Sequence, residues 1–298
     1  MSEAFDCIVV GGGPGGLTAA TYLARYRRRV RIFDTGATRA AWIPKSRNCP
    51  GFPHGVGGPE LLERMREQAR RFGVETVDVE VTGLHRDGDG FDVRHADAGH
   101  RARTVIMATG CEDVLPDLSG LDDAVACGAL RMCPICDAFE ATGHGIAVYG
   151  PADTAAAHAR FLRTYSNRIT LVPSQAGVDE TVRRELDAAG VQLAGVPLGL
   201  EFDGTRCVFA FADGPRAFDV VYPMLGLVSR SSLAVGAGAE CDAEGALVVN
   251  RHQMTSVDGL YAIGDVVSAL NQISVATGHA AIAATDVHNR LPPNPAQD

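Results

Sequence analysis

Cys133-Pro134-Ile135-Cys136-Asp137, near the middle of the 298-residue chain, is the stretch whose residue types and spacing could do chemistry of their own. Two cysteines separated by two residues can close a small disulfide ring, and a thiolate in that setting can have a pKa well below that of free cysteine. The pair is then a dithiol/disulfide switch. The same spacing also builds half of a zinc site, and many such pairs are only structural. Zinc would need a second ligand pair. No other C-x-x-C and no H-x3-5-H follows, and His144, eight residues on, has no partner at ligand spacing. Redox chemistry is therefore the favoured reading, and no metal is expected.

The elements around this motif read as nucleotide-binding folds. Phe5-Asp6-Cys7-Ile8-Val9-Val10 is a short buried strand that runs into Gly11-Gly12-Gly13-Pro14-Gly15-Gly16 and then a helix from Leu17. Gly11, Gly13 and Gly16 have the G-x-G-x-x-G spacing: one for the turn, one for close approach of backbone to a pyrophosphate, one for helix–strand packing. A second strand, Val30 to Phe33, ends in Asp34, 23 residues after Gly11, where a carboxylate can accept adenosine ribose hydroxyls. That context lifts the motif above a bare Gly-rich turn.

Composition bounds the rest. The length allows two domains, and 34 Gly beside 46% apolar residues suits an α/β protein rich in tight turns. No apolar run approaches the ~18 residues of a membrane span. The acidic N-terminal stretch enters a strand directly and does not read as a signal peptide. A net charge of −9 argues against nucleic-acid or membrane partners. Of eight cysteines, Cys7, Cys49, Cys111, Cys127, Cys207 and Cys241 are scattered and read as small buried hydrophobes, a reducing-compartment pattern that predicts a cytoplasmic protein.

Residues 39 to 60 are too rich in Gly and Pro for a regular element and read as a functional loop, with Cys49 in it a packing thiol. Glu60 to Phe72 is an amphipathic helix with Leu61, Leu62, Met65 and Ala69 on one face and its arginines in solvent. Thr104 to Gly110 is another buried strand ending in a turn, and Pro116 and Gly120 mark a crossing between domains. After the C-x-x-C comes a second strand–turn–helix unit, Gly145 to Tyr149 followed by Gly150-Pro151-Ala152-Asp153-Thr154-Ala155. Two such units point to two dinucleotide folds. The second is defective: Ala152 replaces a glycine, and Pro151 removes a backbone N–H from the phosphate turn. The next strand ends in Pro173-Ser174-Gln175, with neither carboxylate nor arginine for a ribose or its phosphate. In the final third a strand ends at Gly264-Asp265, and Asn271 to Ala276 opens a helix rich in small residues.

In Gly11 to Gly16, Asn48 with Pro50-Gly51, Ala108-Thr109-Gly110, Cys133 to Asp137, and Tyr261 to Asp265 with Gln272-Ile273, the chain resembles the low-molecular-weight thioredoxin reductases, FAD-containing disulfide oxidoreductases, over essentially its whole length. The resemblance implies an α/β fold of two Rossmann-like, three-layer dinucleotide-binding domains, the second inserted in the first. Residues 1–114 and 230–298 would form the FAD domain and 115–229 the central domain. It implies a homodimer that rotates one domain against the other. Gly11, Gly13, Pro14, Gly16 and Asp34 would hold the ADP half of FAD, with Asn48, Thr109, Gly110 and Gly264 also at the cofactor. Asp265 would bind the ribityl chain, and Gln272 and Ile273 would sit at the pyrimidine edge. Cys136 would face the flavin, Cys133 would attack the substrate disulfide, and Asp137 would manage the proton on the departing sulfur, although it could equally be a helix cap.

The departures from the family pattern fall in its nicotinamide motif, where Gly150 to His158 carries no glutamate, and in its His-Arg-Arg, here Pro173-Ser174-Gln175. They count against conventional NADPH use. Related branches take electrons from ferredoxin or an unknown donor, or run as dithiol oxidases that pass electrons to oxygen. The favoured expectation is a flavin-dependent reductase of a thioredoxin-like or small disulfide substrate, fed by ferredoxin or an unknown donor. A dithiol oxidase is the alternative, but such branches carry His after the second Cys, where this chain has Asp137. An NADPH-dependent reductase with an atypical nucleotide site and a non-enzymatic FAD redox sensor are the remaining readings.

Overall fold

The computed structural model describes residues 4–96, 98–267 and 270–295, so the first three residues of the acidic N-terminal stretch lie outside the described residues. Strand β1 (Phe5–Val10) is buried along its length except at Asp6, as a central parallel strand requires. It turns into helix α1 (Pro14–Arg25), whose Pro14 presets a helical φ and lacks an N–H that would be unpaired there anyway. Then come β2 (Val30–Asp34), α2 (Gly58–Arg71) and β3 (Glu75–Asp78), followed by β4 (Gly83–Asp87), β5 (Gly90–His95) and β6 (Ala98–Met107). The sheet order is β3-β2-β1-β6-β5-β4, parallel from β3 to β6 and antiparallel beyond.

Strand β7 (Cys111–Asp113) leads out of this unit to α3 (Leu121–Cys127), the one-turn α4 (Pro134–Asp137), β8 (Ile146–Gly150), α5 (Ala152–Leu162), β9 (Ile169–Pro173), α6 (Glu180–Ala188) and β10 (Gln192–Leu193). An antiparallel trio follows, β11 (Gly199–Phe202), β12 (Cys207–Phe211) and β13 (Gly214–Phe218), and then β14 (Val220–Pro223) returns to complete a parallel sheet of order β10-β9-β8-β14. Next, β15 (Leu227–Ser229) pairs antiparallel with β7, so the chain leaves and re-enters the first unit through one two-stranded ribbon. After α7 (Ser232–Gly236), β16 (Leu260–Ala262) joins the first sheet in parallel with β6, with Leu260 opposite Val105, and α8 (Ile273–Arg290) closes the fold. The result is an α/β protein of two Rossmann-like units, the second inserted in the first.

Each unit has its own core. In the first, Ala280, Ala283 and Ala284 of α8 are buried with Ala19, Ala20 and Leu23 of α1, small residues that let the two helices close over the sheet. In the second, Ile146, Val148, Leu162 and Leu171 pack with Tyr222. Among the described residues no helix is long and apolar enough to cross a membrane.

Two expectations need correction. Cys127 and Cys241 are exposed and Cys49 is half-buried, so only Cys7, Cys111 and Cys207 behave as core hydrophobes. The stretch 39–60 is also more ordered than a Gly/Pro loop suggests: a 3-10 turn spans Arg39–Trp42, Ser46 bridges to Val56, and α2 starts at Gly58. Gly58 has to be glycine because a Cβ there would lie 1.8 Å from the Ala40 carbonyl oxygen.

Candidate active site

A single cavity of about 1290 Å³ opens at the C-terminal ends of β1, β2 and β6 and reaches the C-x-x-C. Ligands of open parallel sheets bind at that edge. Of the residues singled out in the sequence, Gly11, Gly13, Pro14, Asp34, Asn48, Thr109, Gly110, Gly264, Asp265, Gln272, Ile273, Cys133, Cys136 and Asp137 all line it. Gly16 does not. A Cβ on Gly16 would sit 1.9 Å from the Gly11 carbonyl oxygen, so this glycine serves the close packing of α1 on β1.

The donor set at the far end fits an ADP group. Gly13 caps α1 without any side-chain hydrogen bond, which leaves the first helical amides free for a phosphate. A Cβ on Gly12 would lie 2.4 Å from Asp34 Oδ2, so a side chain there would fill the space beside the carboxylate. Further along, Asp265 sits in a 3-10 turn (Gly264–Val266) after β16. Burial pushes its carboxyl above the usual carboxylate range, against the pull of Arg39 Nη1 at 3.4 Å. The sequence reading missed Arg39: it holds Asp113 with a two-pronged fork, 2.6 Å from Nε and 2.8 Å from Nη2, and so ties β7 to the cavity wall. Thr109 adds a second tie to the ribbon, its hydroxyl donating to the Arg230 carbonyl at 2.7 Å.

At the near end Cys133 and Cys136 are joined as a disulfide, with Cα atoms 5.3 Å apart. Pro134 opens α4 and the Cys136 N–H bonds back to the Cys133 carbonyl at 3.0 Å, which is the one-turn geometry that brings the sulfurs together. Gln272 Nε2 lies 3.5 Å from both sulfurs. Its amide oxygen accepts from Asn48 Nδ2 at 2.9 Å, and Asn48 Oδ1 accepts from the Ser46 hydroxyl at 3.0 Å. The long loop, the start of α8 and the disulfide thus meet in one hydrogen-bonded chain. Asp137, at the end of α4, accepts from the Tyr222 hydroxyl at 2.8 Å. Burial raises its pKa, while Tyr222 and Arg131 oppose the rise. Among the described residues no cluster of three or more His, Cys, Asp or Glu could hold a metal.

The second strand–turn–helix unit keeps its shape. Pro151 occupies the N-cap of α5 without a side-chain cap, and Asp153 stands in the first turn with its Oδ1 accepting from the Thr154 N–H at 2.9 Å. Beyond β9 the Ser174 N–H donates to the Gly150 carbonyl at 2.9 Å.

A cavity that runs from the Gly-rich turn after β1 to a disulfide fits a flavoprotein disulfide oxidoreductase, an enzyme class whose cofactor is FAD, and the family match agrees. The chain belongs to the pyridine nucleotide-disulphide oxidoreductase family, whose model matches residues 5–280. The thioredoxin reductase of Mycolicibacterium smegmatis is 30% identical over 304 residues, covering 96% of this chain and 96% of that protein. The crystal structure of thioredoxin reductase from Streptococcus pyogenes MGAS5005 is similar with a TM-score of 0.89 at 27% identity, over 97% of this chain and 98% of that one. The structure of HlmI gives a TM-score of 0.90 at 30% identity, over 97% and 93%. The protein is therefore thioredoxin-reductase-like in fold and class.

Proposed function

We propose that the enzyme reduces a disulfide in a thioredoxin-like protein or a small molecule, using Cys133 and Cys136 as its redox pair and a donor other than NADPH to load the flavin. One observation carries the reading: the disulfide opens on the same cavity as the Gly11–Gly13 turn and Asp34, with Gln272 at 3.5 Å from both sulfurs. Gly11, Gly13, Pro14 and Asp34 would hold the ADP part of FAD, Asp265 the ribityl part, and Asn48, Gln272 and Ile273 the ring end. When bound there, FAD supplies a two-electron exchange partner for the disulfide.

With the pair reduced, the Cys133 thiolate attacks the substrate disulfide, forms a mixed disulfide and expels one substrate thiolate. Asp137 gives that sulfur its proton. Cys136 then attacks Cys133, expels the second substrate sulfur and closes the ring, so two electrons have passed from the dithiol to the substrate. Gln272 Nε2 donates toward the sulfurs and favours thiolate over thiol.

Support for an unusual donor comes from the central unit. A pyridine nucleotide's pyrophosphate needs free N–H groups and a positive helix end, but Pro151 has no N–H and Asp153 brings a carboxylate to the N-terminus of α5. The six free cysteines fit a cytoplasmic setting, and the family resemblance favours a homodimer. Flavin absorbance followed anaerobically tests the whole reading. Reduced ferredoxin or dithiothreitol is expected to bleach it, NADPH and NADH to leave it oxidised, and Cys136→Ser to abolish bleaching by dithiol. Rapid bleaching by NADPH would overturn the donor proposal, and recovery in oxygen at catalytic rate after dithiol reduction would assign a dithiol oxidase instead.

A further inference from the structure

Tyr222 is the third residue of β14, and its neighbours Val220, Val221 and Pro223 are all buried. Read as a core strand, this segment needs a large apolar side chain at that position, and phenylalanine would serve. The phenol is nevertheless there, fully buried, and a buried hydroxyl needs a partner. Its partner is the Asp137 carboxyl, with the hydroxyl 2.8 Å from Oδ1. Arg131 grips the same residue by its backbone, Nη1 donating to the Asp137 carbonyl at 2.7 Å, while its Nε donates to the Gly128 carbonyl at 3.1 Å. Asp137 is therefore fastened from two elements, a strand of the central sheet and the segment that precedes α4.

We infer that Tyr222 is a positioning residue for the thiol–disulfide step: its hydroxyl fixes the carboxyl of Asp137, the residue after Cys136 and on the same cavity, and stabilises the ionised form that remains once the proton has gone to the departing sulfur. The inference rests on the reading of Asp137 as the proton carrier. When an incoming thiolate opens the Cys133–Cys136 bond, one new S–S bond forms, the old one breaks, and the released cysteine sulfur takes the Asp137 proton. The carboxylate left behind is half-buried and keeps the Tyr222 hydrogen bond.

The charged and titratable groups facing Asp137 are Tyr222 from β14, Arg131 from the segment before α4, and Glu140 from the turn after it, itself 3.2 Å from Arg47. Burial raises the Asp137 pKa, Tyr222 and Arg131 lower it, and Glu140 raises it. The phenol stays a donor throughout, because burial and the adjacent Asp137 push its own pKa well above the ordinary tyrosine value. Deleting the hydroxyl removes a bond made to the ionised carboxyl, so the Asp137 pKa must rise further. Catalysis that needs the protonated carboxyl is lost as pH rises through that pKa, and the alkaline limb of the rate must therefore move to higher pH.

The test uses the FAD-loaded protein and dithiothreitol, with anaerobic opening of the disulfide trapped by alkylation and read by mass as a function of pH, corrected for the thiolate fraction of the reagent. Tyr222→Phe is expected to shift the alkaline limb upward by about one pH unit and to slow the step by roughly tenfold. In an Asp137→Asn background, Tyr222→Phe is expected to change nothing. If the limb stays in place in Tyr222→Phe, or the slowing persists in the Asn background, Tyr222 only packs and the inference fails while the role of Asp137 stands. If Asp137→Asn alone leaves the rate and its pH profile unaltered, the proton-carrier reading falls, and this inference with it.

Discussion

Asp137 and Asp265 are both carboxyls that burial raises above the ordinary range, but their surroundings direct them differently: the Tyr222 phenol and the Arg131 cation for one, a single Arg39 nitrogen at 3.4 Å for the other. The free cysteines divide just as sharply. Burial pushes the Cys7 and Cys207 thiols up to about 12, so neither supplies thiolate near neutral pH, whereas Cys127 and Cys241 are exposed. Brief treatment of the folded protein with iodoacetamide should modify Cys127 and Cys241 first and leave Cys7 and Cys207 untouched until denaturant is added. Peptide mass mapping decides it, and early labelling of Cys7 would contradict the core described for β1. Features that lie in short spacing were legible in the sequence: Gly11, Gly13 and Asp34, which line the cavity, and the C-x-x-C, which closes as a disulfide. Tyr222 and Arg39 were not, because their partners lie 85 and 74 positions away and nothing local marks a core tyrosine or a loop arginine as belonging to a site.

At the scale of elements, α1 and α8 make opposite predictions for the same substitution. Gly16→Ala drives a methyl group to 1.9 Å from the Gly11 carbonyl, and backbone rather than a flexible side chain has to yield. A cost on the order of 2 kcal/mol is expected, with most of the flavin lost on purification, measurable by thermal unfolding and the 450 nm-region absorbance. Gly278, in mid-helix of α8, is exposed, and a Cβ there meets nothing within 4 Å. Gly278→Ala should stabilise by roughly 0.5–1 kcal/mol and leave flavin content unchanged. Strands β1, β2, β6, β8 and β9 and helix α2 were readable from apolar runs and periodicity. The stretch 39–60 was not, since its order comes from the Arg39–Trp42 turn, the Ser46–Val56 bridge and the Asn48–Gln272 bond, the last of which reaches across 224 positions.

For the molecule as a whole, the β7–β15 ribbon is where the two units are joined, and arginines hold it on the cavity side. Arg39 clasps Asp113 of β7, while Arg230 pairs with Glu112 at 2.7 Å and donates to the Ala37 carbonyl at 2.8 Å. Arg39→Met removes a largely desolvated fork and leaves Asp113 and Asp265 side by side without their cation. Stability is expected to fall by about 2–3 kcal/mol in the folded protein, and dithiol-driven bleaching of the flavin to slow by roughly tenfold as the disulfide is held less firmly against the cavity. Stopped-flow absorbance beside a thermal melt separates the two effects, and a variant that unfolds earlier but bleaches at the original rate would show that the fork is only structural.

The ribbon also makes the protein modular. Its two strands are hydrogen-bonded neighbours, so the ends of the inserted unit lie roughly 5 Å apart, close enough for that unit to be exchanged as a cassette without cutting the first sheet. A nucleotide turn carried wholly inside such a cassette can vary independently of the Gly11–Gly13 turn, and here Pro151 and Asp153 stand at the N-terminus of α5. The same architecture would let a designer graft a different docking unit between Asp113 and Leu227 and rewire which reductant the flavin answers to.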